Sequence, residues 1–136
     1  MSHWVFLDYV SPGGNNLVSK WSKKKLSVGE REDFETLLKV MAKQARWEAR
    51  DFKTISGFPG LGEIRWKSSQ RTPLRVAGTK GPKEGQYILL IGFSHKERVY
   101  DPPDPFNTAK DRKKTLDNGT GATCEHEEDD GEAGEE

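Results

Sequence analysis

The chain has 136 residues, which suffices for one domain, and no apolar run approaches the ~20 residues that a membrane helix needs. A single cysteine, Cys124, excludes a disulfide framework and a cysteine-based metal site within one chain. The net charge of zero is the sum of +9 in residues 1–116 (22 Lys and Arg against 13 acids) and −9 in residues 117–136. A basic domain of this kind favours an anionic partner such as nucleic acid, and ordinary solubility charge is the alternative.

The first third of the chain predicts one strand followed by two helices. Residues 4–10, WVFLDYV, are aromatic and β-branched and are ended by Ser-Pro-Gly-Gly. Asn15 or Asn16 can cap a helix that carries Leu17 and Trp21 on one face. A second helix is predicted over residues 29–48, where Ser27 begins a capping box and apolar residues recur every three or four positions.

The middle of the chain predicts a three-stranded antiparallel meander. Residues 63–67 alternate polar and apolar side chains, residues 74–78 form a second strand, and residues 87–91 are an apolar run typical of a buried strand. The last strand ends in Ser94, His95 and Lys96, so these polar side chains lie at the end of a rigid, buried strand. Phe34, Leu37, Leu38 and Met41 of the second helix are expected to pack against Ile88, Leu90 or their neighbours.

The end of the chain predicts a short helix and an acidic tail. Residues 106–116 are a basic helix candidate, and residues 117–136 are acidic, Gly-rich and poor in apolar residues. Such a segment buries too little apolar area to offset its chain entropy, so it is expected to be disordered. The domain boundaries predicted are therefore 1–116 for the folded domain and 117–136 for the tail.

Four segments of the predicted strands and the last helix carry a recognisable pattern: LGEIR at 61–65, Arg75-Val76, LLIGFSHK at 89–96 and AKDRK at 109–113. Together they resemble the RelE/ParE superfamily of bacterial and phage toxins, most closely its phage-derived HigB-like branch. The resemblance covers about residues 4–114. It implies an α+β, RelE-like fold: two N-terminal helices packed on one face of a twisted, mainly antiparallel four-stranded sheet, with a short C-terminal helix.

The resemblance also implies a function. Members are toxins of type II toxin-antitoxin systems, and the implied activity is metal-independent cleavage of mRNA, on the ribosome or free, without a cofactor. The implied partners are mRNA, the ribosome and a cognate helix-turn-helix antitoxin. Two departures matter: many nuclease members have a bulky residue shortly after Arg75, and relatives often have Lys where this chain has His95.

The residue types suggest how such a site would work. Cleavage by the 2′-hydroxyl needs an acid or base and cations that stabilise the phosphorane. We expect His95 in the proton-transfer role because histidine titrates near neutrality, and Arg65 and Arg75 as the phosphate clamp because the guanidinium donates two hydrogen bonds. Lys67, Arg71 and Lys96 are expected to contact RNA, and Tyr100 is a further candidate that could instead only pack.

Several alternatives remain open from the sequence. The chain could be a non-catalytic module of the same fold that inhibits a protein such as DNA gyrase, or a phage remnant that binds only RNA or antitoxin. No metal site is predicted, because His3, His95 and His126 are widely separated. The N-terminus lacks the features of a signal peptide, so a cytoplasmic location without a membrane partner is expected.

Overall fold

The computed structural model describes residues 3–127. Within that range the chain forms a seven-stranded mixed sheet and three helices. In chain order the elements are β1 (Val5–Val10), α1 (Leu17–Lys25), α2 (Val28–Ala42), β2 (Phe52–Thr54), β3 (Gly62–Lys67), β4 (Pro73–Lys80), β5 (Gln86–Lys96), β6 (Val99–Asp101), α3 (Pro105–Asp117) and β7 (Ala122–Glu125). None of the helices in residues 3–127 is both long enough and apolar enough to cross a bilayer.

The sheet has the order β2-β3-β4-β5-β1-β7, and β6 pairs with the end of β5. The strands β1 and β5 are parallel, and every other pairing is antiparallel. The connection from β1 to its neighbour β5 therefore runs through both N-terminal helices and the rest of the meander. As a result, the two ends of the described chain meet in one sheet, since β7 adds to the free edge of β1.

Each face of the sheet carries its own hydrophobic core. One core contains Val18, Phe34, Leu38 and Met41 from α1 and α2, packed on sheet residues that include Leu89. The opposite face carries a second core, which α3 covers; its members include Tyr9, Ile55, Leu61, Ala77, Ile88, Leu90, Phe93 and Ala109. Helices therefore lie on both faces, and the two cores are separated by the sheet itself.

The predicted fold class, with a four-stranded sheet, two helices on one face and a short C-terminal helix, is wrong. The sheet has seven strands, and α3 has 13 residues. The strands β2 and β6 have three residues each, too few to display the alternation that identifies a strand in sequence. The strand β7 is exposed along its whole length and lies in an acidic segment, so no apolar pattern marks it.

The helices themselves begin where the sequence indicates. Asn16 caps α1 by accepting a hydrogen bond from the Ser19 amide at 3.0 Å, and Ser27 and Glu30 form the predicted capping box of α2. The second helix ends at Ala42, six residues before the predicted end. Phe34, Leu38 and Met41 are buried as expected, whereas Leu37 is only partly buried. On β5 they share their core with Leu89, a neighbour of the two residues expected, and Ile88 and Leu90 belong to the other core.

The prediction of a disordered tail from Asp117 is wrong for the residues up to 127. Asp117 ends α3, and β7 pairs with β1 in the register Asp8↔Cys124. His126, just after β7, lies between Asp8 and Glu35, and its side chain is 12% exposed. A pairing partner more than 100 residues away and a buried charge cluster therefore order this part of the acidic segment. The remainder of the predicted tail, residues 128–136, lies outside the described residues.

Candidate nucleic-acid interface

Two arginines lie directly opposite each other at one end of the sheet. Arg65 on β3 is the cross-strand partner of Arg75 on β4, so their Cα atoms are about 4.5–5.5 Å apart and their side chains share a face. That face is the one α3 covers, because the next residue of the same face on β4 is Ala77 of the second core. Like charges placed opposite each other are unfavourable unless something negative lies between them.

The second arginine of the pair is held in a buried position. Arg75 is 9% exposed, its Nη1 donates to the Leu74 carbonyl at 3.0 Å, and its Nε lies 3.7 Å from Glu63 Oε2. Burial, and next the positive charge of Arg65, lower the pKa of Arg75, whereas Glu63 and Tyr100 act in the opposite direction. Arginine stays charged under such shifts, so this buried cation is partly compensated by a single described carboxylate.

Arg65 is less buried than Arg75 and makes fewer side-chain contacts among the described residues. Arg65 is half-buried, and its Nε has no hydrogen-bond partner within residues 3–127 although solvent does not reach that atom. An anion bound between the two guanidinium groups would offset their like charges and accept charge-assisted hydrogen bonds from them. The pair therefore has the chemistry of an oxyanion clamp.

The register brings His95 to the same face. Arg75 pairs with Phe93 on β5, and His95 follows Phe93 by two residues, so both lie on the side of the arginines. The hairpin between β5 and β6 pairs His95 with Tyr100, and the two rings stack at a centroid distance of 4.1 Å. Tyr100 also contacts Phe93 and Phe106 edge-on, at 5.7 and 5.4 Å. We call Arg65, Arg75, His95 and Tyr100 the strand-end site.

The three predicted RNA-contacting cations lie around this site with different geometry. Lys67 ends β3 two residues after Arg65 and is exposed on the same face. Arg71 is exposed in the turn between β3 and β4, with a positive φ of 68°. Lys96 ends β5 but alternates with His95, so it belongs to the opposite face. The structure brings Lys67 and Arg71 to the edge of the site and separates Lys96 from it.

Sequence reasoning underrated Tyr100 and missed Glu63. Tyr100 lies on β6, a strand that was not predicted, so its pairing with His95 could not be derived. The alternation in residues 63–67 predicts that Glu63, Arg65 and Lys67 share one face of β3. The contact between Glu63 and Arg75 depends in addition on the register between β3 and β4, which the sequence does not show.

A second polar cluster has the opposite character. His126 Nδ1 lies 2.8 Å from Asp8 Oδ1, and its Nε2 lies 2.9 Å from Glu35 Oε1. Burial lowers the pKa of His126, but hydrogen bonds and charge from Asp8 and Glu35 outweigh it and raise the pKa to about 10. We call these three residues the His126 clamp. Both ring nitrogens are engaged, so the imidazolium joins β1, α2 and the end of β7 and has no nitrogen left for catalysis.

Neither a metal site nor a comparison with known proteins assigns a function to the described residues. Among residues 3–127, no group of three or more His, Cys, Asp and Glu side chains is arranged to hold a metal ion. No protein-family model, no curated protein and no solved structure matches the chain. The resemblance to the RelE/ParE toxins therefore stays a prediction that rests on the four sequence segments.

Proposed function

We propose that the protein binds RNA at the strand-end site and cleaves it by attack of a 2′-hydroxyl. In this reaction the 2′-oxygen bonds to phosphorus and the bond from phosphorus to the 5′-oxygen breaks. The proton that the 2′-hydroxyl loses ends on the 5′-oxygen of the leaving group. The observation that carries the proposal is the cross-strand pair Arg65–Arg75 beside the stacked rings of His95 and Tyr100. Such a site offers a phosphate clamp and a proton-transfer group on rigid strands.

The geometry suggests a role for each residue. Arg65 and Arg75 hold the two non-bridging phosphate oxygens and stabilise the charge that develops in the phosphorane. His95 acts as the acid or the base, and its ring is held in place by the stack on Tyr100. Glu63 positions Arg75 through their 3.7 Å contact. Lys67 and Arg71 attract the RNA backbone from the rim of the site.

The biological role that we propose is that of a cytoplasmic toxin whose target is mRNA, on the ribosome or free, and which a helix-turn-helix antitoxin neutralises. Support comes from the four segments that resemble the toxins. Three of them lie on β3, β4 and β5, adjacent strands that carry the strand-end site, and the fourth lies on α3.

The test is cleavage of RNA by purified protein and by protein added to a cell-free translation reaction. We expect cleavage to persist in excess chelator and to fail on a substrate whose 2′-hydroxyls are replaced by hydrogen. His95→Ala should lower the rate by about 10²–10⁴-fold, and Arg65→Ala by about 10²–10³-fold. Lys43→Ala, an exposed lysine at the end of α2, is the matched control and should cleave at the parent rate.

Three outcomes would contradict the proposal. Cleavage of the all-deoxy substrate would exclude 2′-hydroxyl attack. A His95→Ala/Arg65→Ala double variant as active as the parent would move the site elsewhere. Intact RNA in both assays, together with inhibition of DNA gyrase by the parent, would favour the non-catalytic alternative. In bacteria, expression without antitoxin should slow growth, and the double variant should not.

A further inference from the structure

A pocket with a basic rim lies between α3 and the loop that precedes β3. Phe58, Pro59 and Leu61 form its loop side, and Lys110, Lys113 and Lys114 form its helix side; we call it the lysine pocket. Its volume is about 320 Å³, near the lower end for sites that hold small ligands. Asp117 also lines it and pairs with Lys113 at 3.3 Å, so two of the three lysines lack a carboxylate partner among the described residues.

The loop side of this pocket is held in place by several hydrogen bonds. The Ile55 amide donates to the Leu61 carbonyl at 3.0 Å, and the Leu61 amide donates to the Phe58 carbonyl at 3.1 Å. Thr79 on β4 donates from its hydroxyl to the Gly60 carbonyl at 2.8 Å. Gly60 has a φ of 82°, a conformation that suits glycine, and an added Cβ would lie 3.5 Å from Lys113. These hydrogen bonds hold the loop side of the pocket in one conformation.

A row of aromatic rings connects the lysine pocket with the strand-end site. Phe58 contacts Phe106 at 5.7 Å between centroids, Phe106 contacts Tyr100 at 5.4 Å, and Tyr100 stacks on His95 at 4.1 Å. Phe106 and the pocket lysines recur along α3 at intervals of three or four residues, so they lie on one face of the helix. From Phe106 to Lys113 that face rises by about 10 Å.

We propose that the lysine pocket binds a flanking nucleotide of the same RNA strand that the strand-end site would cleave. The base packs on the half-buried Phe58 and the exposed Pro59, and the adjoining phosphate lies between Lys110 and Lys114. Proteins hold single-stranded nucleic acid by combining positive charge with aromatic rings on which bases stack. The inference rests on the proposed function. It adds that the substrate is single-stranded, because a base stacked and paired in a duplex cannot enter a pocket.

Binding is measured by fluorescence anisotropy with a short labelled single-stranded RNA, at several salt concentrations. Phe58→Ala should weaken binding by about 5- to 150-fold, the range for losing one base–aromatic stack. The same variant should bind an oligomer of abasic nucleotides as well as the parent does, because that ligand keeps the phosphates and lacks the bases. Phe58→Leu, which keeps most of the apolar volume, is the second variant in case Phe58→Ala unfolds.

The lysines are tested separately from the aromatic ring. Lys110→Ala/Lys114→Ala should lower the affinity for both oligomers and reduce the slope of log affinity against log salt by about 0.7, since the contact with one phosphate is lost. Lys23→Ala/Lys24→Ala removes two exposed lysines from α1 and should leave the slope unchanged.

The outcomes separate this inference from the proposed function. A parent that binds and cleaves RNA, with both pocket variants equal to it, would overturn the pocket and leave the proposed function intact. Equal loss on the normal and abasic oligomers in Phe58→Ala would overturn a base subsite, as would duplex RNA binding as tightly as single strands. Binding that depends on Phe58 and the lysines without any cleavage would support the pocket and contradict the nuclease.

Discussion

The His126 clamp offers a quantitative test of the structure. The side chains of Asp8, Glu35 and His126 are 3, 7 and 12% exposed, and two hydrogen-bonded contacts of 2.8 and 2.9 Å join them. Replacing the imidazolium with a neutral group leaves two buried carboxylates without their shared cation. Removing one partner of a buried ionic cluster costs about 3–5 kcal/mol, so His126→Gln should lower the free energy of unfolding by that amount near neutral pH.

The pH dependence of unfolding gives a second value for the contribution of the His126 clamp to the free energy of unfolding. The pKa of His126 is raised from 6.5 to about 10, which corresponds to roughly 4–5 kcal/mol. Because the folded-state pKa is raised, this stabilisation is fully present below about pH 6.5 and is lost as the pH rises through about 10. Between those values the unfolded chain binds less proton than the folded chain, so the advantage of the parent over His126→Gln should shrink by about 1.4 kcal/mol per pH unit.

The assay is urea unfolding of the parent and of His126→Gln at several pH values between about 7 and 9, monitored by tryptophan fluorescence. His3→Gln is the control, because His3 is exposed and its side chain carries no comparable pair of contacts in the described structure. If the free energies of unfolding of the parent and of His126→Gln differ by less than about 1 kcal/mol at pH 7, the clamp is refuted. A gap that stays constant with pH would show that the imidazole is neutral in the folded protein.

Two further predictions concern the rest of the fold. Leu38→Ala should lower the free energy of unfolding in urea by about 2–5 kcal/mol, because Leu38 is 4% exposed in the core. Val40→Ala is the control: Val40 is 46% exposed on the same helix, and its loss should cost less than about 1 kcal/mol. Equal effects would mean that the buried face of α2 is misassigned. A chain that ends after Glu127 keeps β7 and His126 and should unfold at the urea concentration of the full chain. One that ends after Gly121 should lose at least as much stability as His126→Gln, and equal stability of the two shortened chains would count against the role of β7.

The elements that local patterns describe were predictable. The run at residues 87–91 identifies the centre of β5, the three- and four-residue spacing around Leu38 identifies α2, and Ser27 marks where that helix begins. Residue type and predicted strand also indicate Arg65, Arg75 and His95 as candidates for one site, an assignment that stays a prediction. In each case the signal lies within about a dozen residues, which is the range over which the period of a helix or strand is expressed.

The positions at which those residues meet depend on how the strands pair. The cross-strand registers place Arg65 opposite Arg75 and His95 beside Tyr100, and a one-residue slip would have moved a partner to the other face. The acidic segment likewise cannot be understood from its local sequence. Its composition predicts disorder, yet β7 pairs with β1 and His126 is buried between two carboxylates. The helices and the main strands follow from local periodicity. The register of the sheet, the pairing of β7 and the His126 clamp depend on contacts between residues that are distant in the chain.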